Sequence, residues 1–262
     1  MKLKLCRINR AALAENGVTV EELQQAAQSL IDGPPSAAMV RAVGETSHFL
    51  KLYHFPRLRD KLRLRLGYNP AAKAYEYARR LQERGVPCAN PLAVLAGSSP
   101  AVAVFIAEAL CEGGMLRDLF KRLFADASSP TPGQPRTALL RELAGFLYQL
   151  HQKGIYHSDL HDANIWVQHS DDKFAFALLD LEAIRFCRRV SIRRKLKNLL
   201  RLARNLGTAA AEAGVDGVPV ALEFADCYFS VSSLPVGESD LERVKAAARR
   251  GRERWRETHR AN

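Results

Sequence analysis

The sequence predicts an α+β fold, with strands and a helix first, then mostly helices with a small hairpin between. Two patterns carry this. The first 110 residues hold short apolar runs bounded by Gly, Pro and polar residues, at Ala37 to Val43, His48 to Tyr53 and Ala101 to Ala107. Later, Leu139, Leu140, Leu143, Phe146, Leu147 and Leu150 recur at three- and four-residue spacing, ahead of a stop at Gly154. The 262 residues are enough for one large domain or two lobes with a proper core.

Taken in order, Thr19 to Leu30 reads as a helix, and Thr19 and Glu22 have capping-box spacing. Gly33-Pro34-Pro35 breaks it, and Gly44 to Ser47 form a turn between the first two strands. Residues 51 to 66 carry six Lys/Arg and one acid among Leu and Phe. Ala71 to Arg84 is a helix closed by Gly85. Ala101 to Ala107 is a buried strand, and Glu108 to Gly114 a connector. Met115 to Leu123 is helical, and Ser128 to Pro135 is a loop. Thr137 to Lys153 is the most strongly marked helix. Ile165 to Val167 and Phe174 to Leu179 are strands joined by a turn at His169 to Asp172. Leu241 to Asn262 forms a basic helix.

Composition narrows the function. Hydrophobic residues make up 47% and charged residues 26%, which excludes a disordered or collagen-like chain. Lys+Arg number 39 against 28 Asp+Glu, a net charge of +11 that asks for an anionic partner. Nucleic acid is disfavoured: no helix-turn-helix, zinc-finger or aromatic RNA-binding motif is present, and aromatic residues are only 8%. The five cysteines are scattered without C-x-x-C spacing, against a disulfide framework or zinc site and in keeping with a reduced, cytoplasmic protein. No signal-peptide core and no apolar run of membrane-spanning length is visible.

The chemistry sits in Gly154 to Asp180. His157, Asp159 and Asn164 form an H-x-D-x-x-x-x-N frame after a buried helix, and a strand, turn and second strand then end at Asp180. This pattern suits phosphoryl transfer, in which one carboxylate takes the proton of the acceptor hydroxyl. A second carboxylate and an amide oxygen are the hard donors that magnesium takes between phosphates.

The segment resembles the catalytic loop of the protein-kinase-like superfamily. Within it, the chain is most similar to the lipopolysaccharide core kinases, the Kdo kinase/heptose kinase (WaaP/InaA-like) family. The resemblance rests on Tyr156-His157-Ser158-Asp159-Leu160-His161 with Asn164-Ile165, on the strand ending in Asp180 with Leu181-Glu182, and on the arginine-rich helix that follows. It covers roughly residues 35 to 205. It implies a two-lobed fold, a small β-rich N-lobe over 1–108 and a mainly helical C-lobe over 109–262, with the cleft near residues 108 to 114.

It also implies ATP and Mg2+ as cofactors, Asp159 as the base, and Asn164 and Asp180 as metal ligands. Lys51 stands where the family places its phosphate-binding lysine. Glu76 is the candidate partner of Lys51, with Glu45 a rival. Glu108 to Cys111 would meet adenine. His157 reads as a scaffold residue, and His161 as a phosphate contact or local structure. Asp159, near an ordinary carboxylate pKa, would act through positioning more than base strength.

Several positions depart from the protein-kinase pattern. Glu182 replaces the glycine of D-F-G, and Gly33 to Ala38 stand where a Gly-rich loop is expected. Arg185 to Arg204 holds nine Lys/Arg and no acid. Like charges so dense call for an anion, so Arg188, Arg189, Arg193 and Arg194 are expected to bind the acceptor, an anionic glycolipid of the lipopolysaccharide core. Phe55 to Arg65 could lie on the cytoplasmic face of the inner membrane. An aminoglycoside- or choline-type kinase, or a kinase-like scaffold without catalysis, are the alternatives.

Overall fold

The computed structural model describes residues 3–33, 38–43, 46–57, 59–60, 68–98, 101–125, 134–170 and 173–259. Glu45, residues 34–37, most of the basic segment from Phe55 to Arg65 and most of the loop from Ser128 lie outside the described residues. The chain forms two compact units, Met1–Cys111 with Asp180–Glu182, and Glu112–Leu179 with Ala183–Asn262.

The first unit is built on an antiparallel sheet of β1 (Lys4–Ile8), β2 (Ala38–Val43), β3 (Thr46–His54), β4 (Pro91–Ser98) and β5 (Ala101–Glu108), in the order β1-β4-β5-β3-β2. Its helices are α1 (Arg10–Glu15), α2 (Val20–Asp32) and α3 (Pro70–Gln82). The predicted capping box is present at α2: Glu22 N–H donates to Thr19 Oγ1, and Thr19 N–H donates back to the Glu22 carboxylate at 2.8 Å. Asn69 caps α3 with Pro70 in its first turn.

The apolar run of β5 is explained by burial on both faces. Val102, Val104 and Ile106 pack with Leu23, Ala27 and Leu30 of α2, while Ala103, Phe105 and Ala107 pack with Ala71, Ala74 and Tyr75 of α3. On β3 the same alternation buries Leu50 and Leu52 on the α2 side and turns Phe49 and Tyr53 to the α3 side. Lys51 is therefore carried on the α3 face.

The second unit contains α4 (Leu116–Ala125), α5 (Gln134–Gln152), α6 (Ile192–Glu212), α7 (Val218–Ser232) and α8 (Glu238–His259). Two small sheets accompany them. One has β6 (Gly114–Met115), β8 (Ile165–Ser170) and β9 (Lys173–Leu178) in the order β6-β8-β9; the other pairs β7 (Ile155–His157) with β10 (Ile184–Phe186). None of the described helices is long and apolar enough to cross a membrane.

The structure corrects the arginine-rich stretch, expected as one helix from Arg185. Ile184 to Phe186 instead form β10, because their backbone pairs with Ile155 to His157 and buries Ile184. The helix starts at Ile192 and runs on to Glu212. Strands β1, β4, β6, β7 and β10 and helices α1 and α7 were not anticipated. Where α6 crosses α8, backbone meets backbone: a Cβ at Gly207 would overlap the carbonyl of Ala248, and one at Gly251 the carbonyl of Arg204.

Gly154, the predicted stop of α5, adopts φ +71° and packs against Cys187, whose N–H donates to its carbonyl at 2.7 Å. A side chain there would be strained in the left-handed region and would overlap the Cys187 carbonyl. Gly154→Ala is expected to destabilise the protein by about 3 kcal/mol, read as a fall in denaturation midpoint with an unchanged m-value.

Candidate active site

The loop after β7 is pinned from beneath by His157, which is 1% exposed. Its Nδ1 accepts the Asp159 N–H at 3.3 Å, so Nε2 carries the proton and donates to the Leu179 carbonyl at 3.1 Å. The backbone of His157 is held in turn. Asn198 Nδ2 donates to its carbonyl at 2.7 Å, Asn198 Oδ1 lies 3.2 Å from His151 Nε2, and His151 Nδ1 lies 2.7 Å from the Tyr228 hydroxyl. Burial, with Lys195 nearby, outweighs the Asn198 bond and lowers the His151 pKa to about 4, so this ring is neutral. Ser158 donates both its N–H and its hydroxyl to the Ala183 carbonyl at 2.9 and 2.7 Å.

On this fixed loop the Asp159 side chain stays 56% exposed and pairs with Arg201 Nη1. Partial burial pushes its pKa up, but the Arg201 hydrogen bond and charge, with His161 and His157, outweigh that and hold the carboxyl below its ordinary value. This corrects the expectation of an ordinary carboxylate. Asn164 turns its Nδ2 to the Asp159 carbonyl at 2.9 Å, which leaves Oδ1 as its outward donor atom. His161 Nδ1 faces the Ala163 N–H, and its Nε2 lies 3.0 Å from Asn164 Nδ2 and 3.7 Å from Asp159 Oδ2. Both ring nitrogens are thus engaged inside the loop.

In the first unit, Lys51 Nζ lies 2.6 Å from Asp180 Oδ1 and 2.5 Å from Glu182 Oε1. Tyr53 donates to the same Glu182 oxygen at 2.8 Å, and Lys73 donates to the Glu182 carbonyl at 2.8 Å. Burial pulls the Lys51 pKa down, but the two carboxylates overcome it and the net shift is upward, so the ammonium is secure. Burial, then the Glu182 charge, pushes the Tyr53 phenol up. These contacts explain why Asp180–Glu182 belongs with the first unit although it follows β9. Asp180 adopts φ +52°, a strained region that Asp tolerates better than most residues and that recurs at functional sites.

Two sequence-based partners are corrected. Glu76 does not reach Lys51: its carboxylate accepts from Arg7 Nε of β1 at 3.0 Å, and α3 sends Lys73, one turn earlier, to Glu182 instead. Glu182, read from sequence only as a departure from D-F-G, takes the place meant for Glu76. Glu108 is a structural acceptor, its Oε1 taking bonds from Asn16 and Asn90 at 2.6 and 2.8 Å. The N–H groups of Glu108 and Ala109 are engaged by Asn90 and Ser47, so this stretch offers backbone donors only from Leu110 onward.

Residues 21–216 match the lipopolysaccharide kinase (Kdo/WaaP) family. The chain belongs to that family. It is therefore a kinase, and lipopolysaccharide is the substrate class of its family. A solved structure of WaaP in complex with acyl carrier protein is similar over 97% of this chain and 99% of that one, at 21% identity and a TM-score of 0.61, which shows a shared kinase-like fold. A glucosamine kinase aligns over 83% of this chain and 69% of that one, at 12% identity and a TM-score of 0.45. No curated protein sequence matches the chain.

Four arginines of this lipopolysaccharide kinase were expected to bind the acceptor. Arg188, Arg189, Arg193 and Arg194 are all exposed. Arg194 turns back to Cys187 Sγ at 3.2 Å and over the Tyr156 ring at 5.4 Å. None of the four lines the cavity of about 410 Å³ on which Asp159 opens, between α4, α6 and α8. The cations there are Arg117, Lys121, Arg204 and Arg254. Sequence reasoning counted Arg201 and Arg204 among nine charges but gave them no role. Their spacing with Asn198 at i, i+3 and i+6 was the available signal.

Arg201→Gln removes the cation that depresses Asp159, so that carboxyl should titrate at higher pH. The acid limb of the kcat/KM profile should move upward with it, and NMR titration of the Asp159 carboxyl checks the shift directly. An unmoved limb would separate Asp159 from the rate-determining ionisation.

Proposed function

We propose that the chain transfers the γ-phosphoryl group of ATP to a sugar hydroxyl, on heptose or Kdo, of the lipopolysaccharide inner core. The observation that carries this is Asp159: a half-exposed carboxylate on a loop fixed by His157 and Asn198, opening on a cationic cavity.

In this reading Asp159 orients the acceptor hydroxyl and takes its proton as the oxygen bonds to phosphorus and ADP leaves. Its lowered pKa makes it a weak base, so its contribution is orientation more than proton affinity. Lys51, kept charged by Asp180 and Glu182, offers Nζ to the nucleotide phosphates. Asn164 Oδ1 and the Asp180 carboxylate are hard oxygen donors of the kind magnesium takes. Magnesium, when bound, neutralises charge on the phosphates.

The exposed Arg188, Arg189 and Arg193 flank Ile192, an apolar residue that is 56% exposed. Cations around an exposed apolar side chain suit an anionic headgroup layer, so we place the protein as a peripheral enzyme on the cytoplasmic face of the inner membrane. A cationic acceptor of the aminoglycoside or choline type would face repulsion from Arg204 and Arg254.

The test is ATP consumption by the purified protein with purified core oligosaccharides, followed by mass analysis for one added phosphoryl group. Asp159→Asn should lower transfer by about 10²- to 10⁴-fold and leave ATP affinity within about twofold. Turnover of the variant at the wild-type rate would overturn the assignment.

A further inference from the structure

The cavity beside Asp159 is asymmetric in its charge. Arg117 Nη2 is paired with Asp162 at 3.3 Å, Lys121 Nζ with Glu212 at 3.2 Å, and Arg201 with Asp159. Arg204 and Arg254 have no ion pair among the described residues. They come from different helices, α6 and α8, which touch through Gly207 and Gly251. That contact sets Arg254 and the half-buried Trp255 into the cavity wall with Arg204. Burial, then the charges of Arg254, Arg201 and Arg250, lowers the pKa of Arg204 against the smaller opposing pull of Asp159. Such crowding of guanidinium groups is unfavourable until an anion offsets it.

We infer that this cavity is the acceptor subsite and selects a sugar that already carries a fixed carboxylate or phosphate. Arg204 and Arg254 grip the anion, and Trp255 lies against the sugar ring. Guanidinium groups match carboxylate and phosphate in two-point contacts that a neutral hydroxyl cannot replace. An indole offers a rigid apolar face with a polar edge, which suits the face of a pyranose. The volume of about 410 Å³ falls in the range of small-ligand sites and holds one sugar ring with its substituents. The inference rests on the phosphotransferase reading of Asp159 but fixes something further, the charge of the acceptor beside the reacting hydroxyl.

The test is a tryptophan-fluorescence titration of the full chain without ATP, using Kdo, its methyl ester, a hexose 6-phosphate and the matching neutral hexose. The charged sugars should bind about tenfold or more tightly than their neutral counterparts. Tighter binding of Kdo identifies carboxylate as the preferred anion, and tighter binding of the sugar phosphate identifies phosphate. Arg204→Gln and Arg254→Gln should each weaken charged-sugar binding about tenfold without changing that of the neutral sugars. Trp255→Phe should remove the signal, with Trp166 retained. Thermal melts check that the variants fold; loss of like charge at 204 should not destabilise. Arg204→Lys with Arg254→Lys keeps charge without the fork and should fall between.

Equal affinity for acid and ester, wild-type binding by the double Gln variant, or no binding of any charged sugar would overturn the inference. Phosphoryl transfer is scored separately. Charged-sugar binding without transfer to any acceptor would sustain the subsite and overturn the kinase reading of Asp159. Transfer unaffected by both arginine variants would do the reverse.

Discussion

The carboxylate at the centre of the second unit is fixed from below by one buried amide, Asn198. It donates to the His157 carbonyl and meets His151, while His157 itself ties the Asp159 N–H to the Leu179 carbonyl. Asn198, His151 and His157 are buried, so a bond lost among them leaves a polar atom without water, at a cost of about 1–3 kcal/mol. The network has one low-energy arrangement because every member is satisfied. A loop held this way keeps its shape while its single exposed carboxylate remains accessible, which is what an orienting group needs.

Helix α6 gives that network its reach. Asn198, Arg201 and Arg204 succeed one another at three-residue intervals, about 4.5 Å of rise each. The first holds the loop, the second holds the carboxylate, and the third lines the cavity. Seven residues of one rigid element thus register the scaffold, the Asp159 carboxylate and the cationic wall against each other. In the first unit the corresponding hub is Glu182, which gathers Lys51, Tyr53 and Lys73 around a backbone bent through the left-handed Asp180.

What could be read from the sequence was local or carried by a fixed spacing. Thr19 and Glu22 cap a helix within one turn, Leu139 to Leu150 trace one face, and His157 to Asn164 keep a spacing that a short loop cannot alter. Lys51 was placeable because its strand alternates visibly between Leu50 and Leu52. What was missed depends on distant partners. β10 exists only because β7 lies beside it, and its three residues carry no strand pattern of their own. Glu76 and Glu182 are equivalent as carboxylates, and only the approach of α3 to β1 decides that Arg7 takes the first. The arginines that line the cavity beside Asp159 could not be picked out for the same reason. Which cations of α6 face Asp159 depends on its start at Ile192 and on α8, more than forty residues away in sequence.

The glycine contact between α6 and α8 has a further consequence. Arg254 and Trp255 stand on a helix that contributes no residue to the loop of His157 to Asn164. In the proposed reading, part of acceptor choice therefore lies on a segment separate from the one that fixes Asp159. Substitution along α8 can redraw the cavity wall while Asn198, His157 and Arg201 keep Asp159 in place, so the architecture allows one catalytic apparatus to be refitted to new acceptors without being rebuilt.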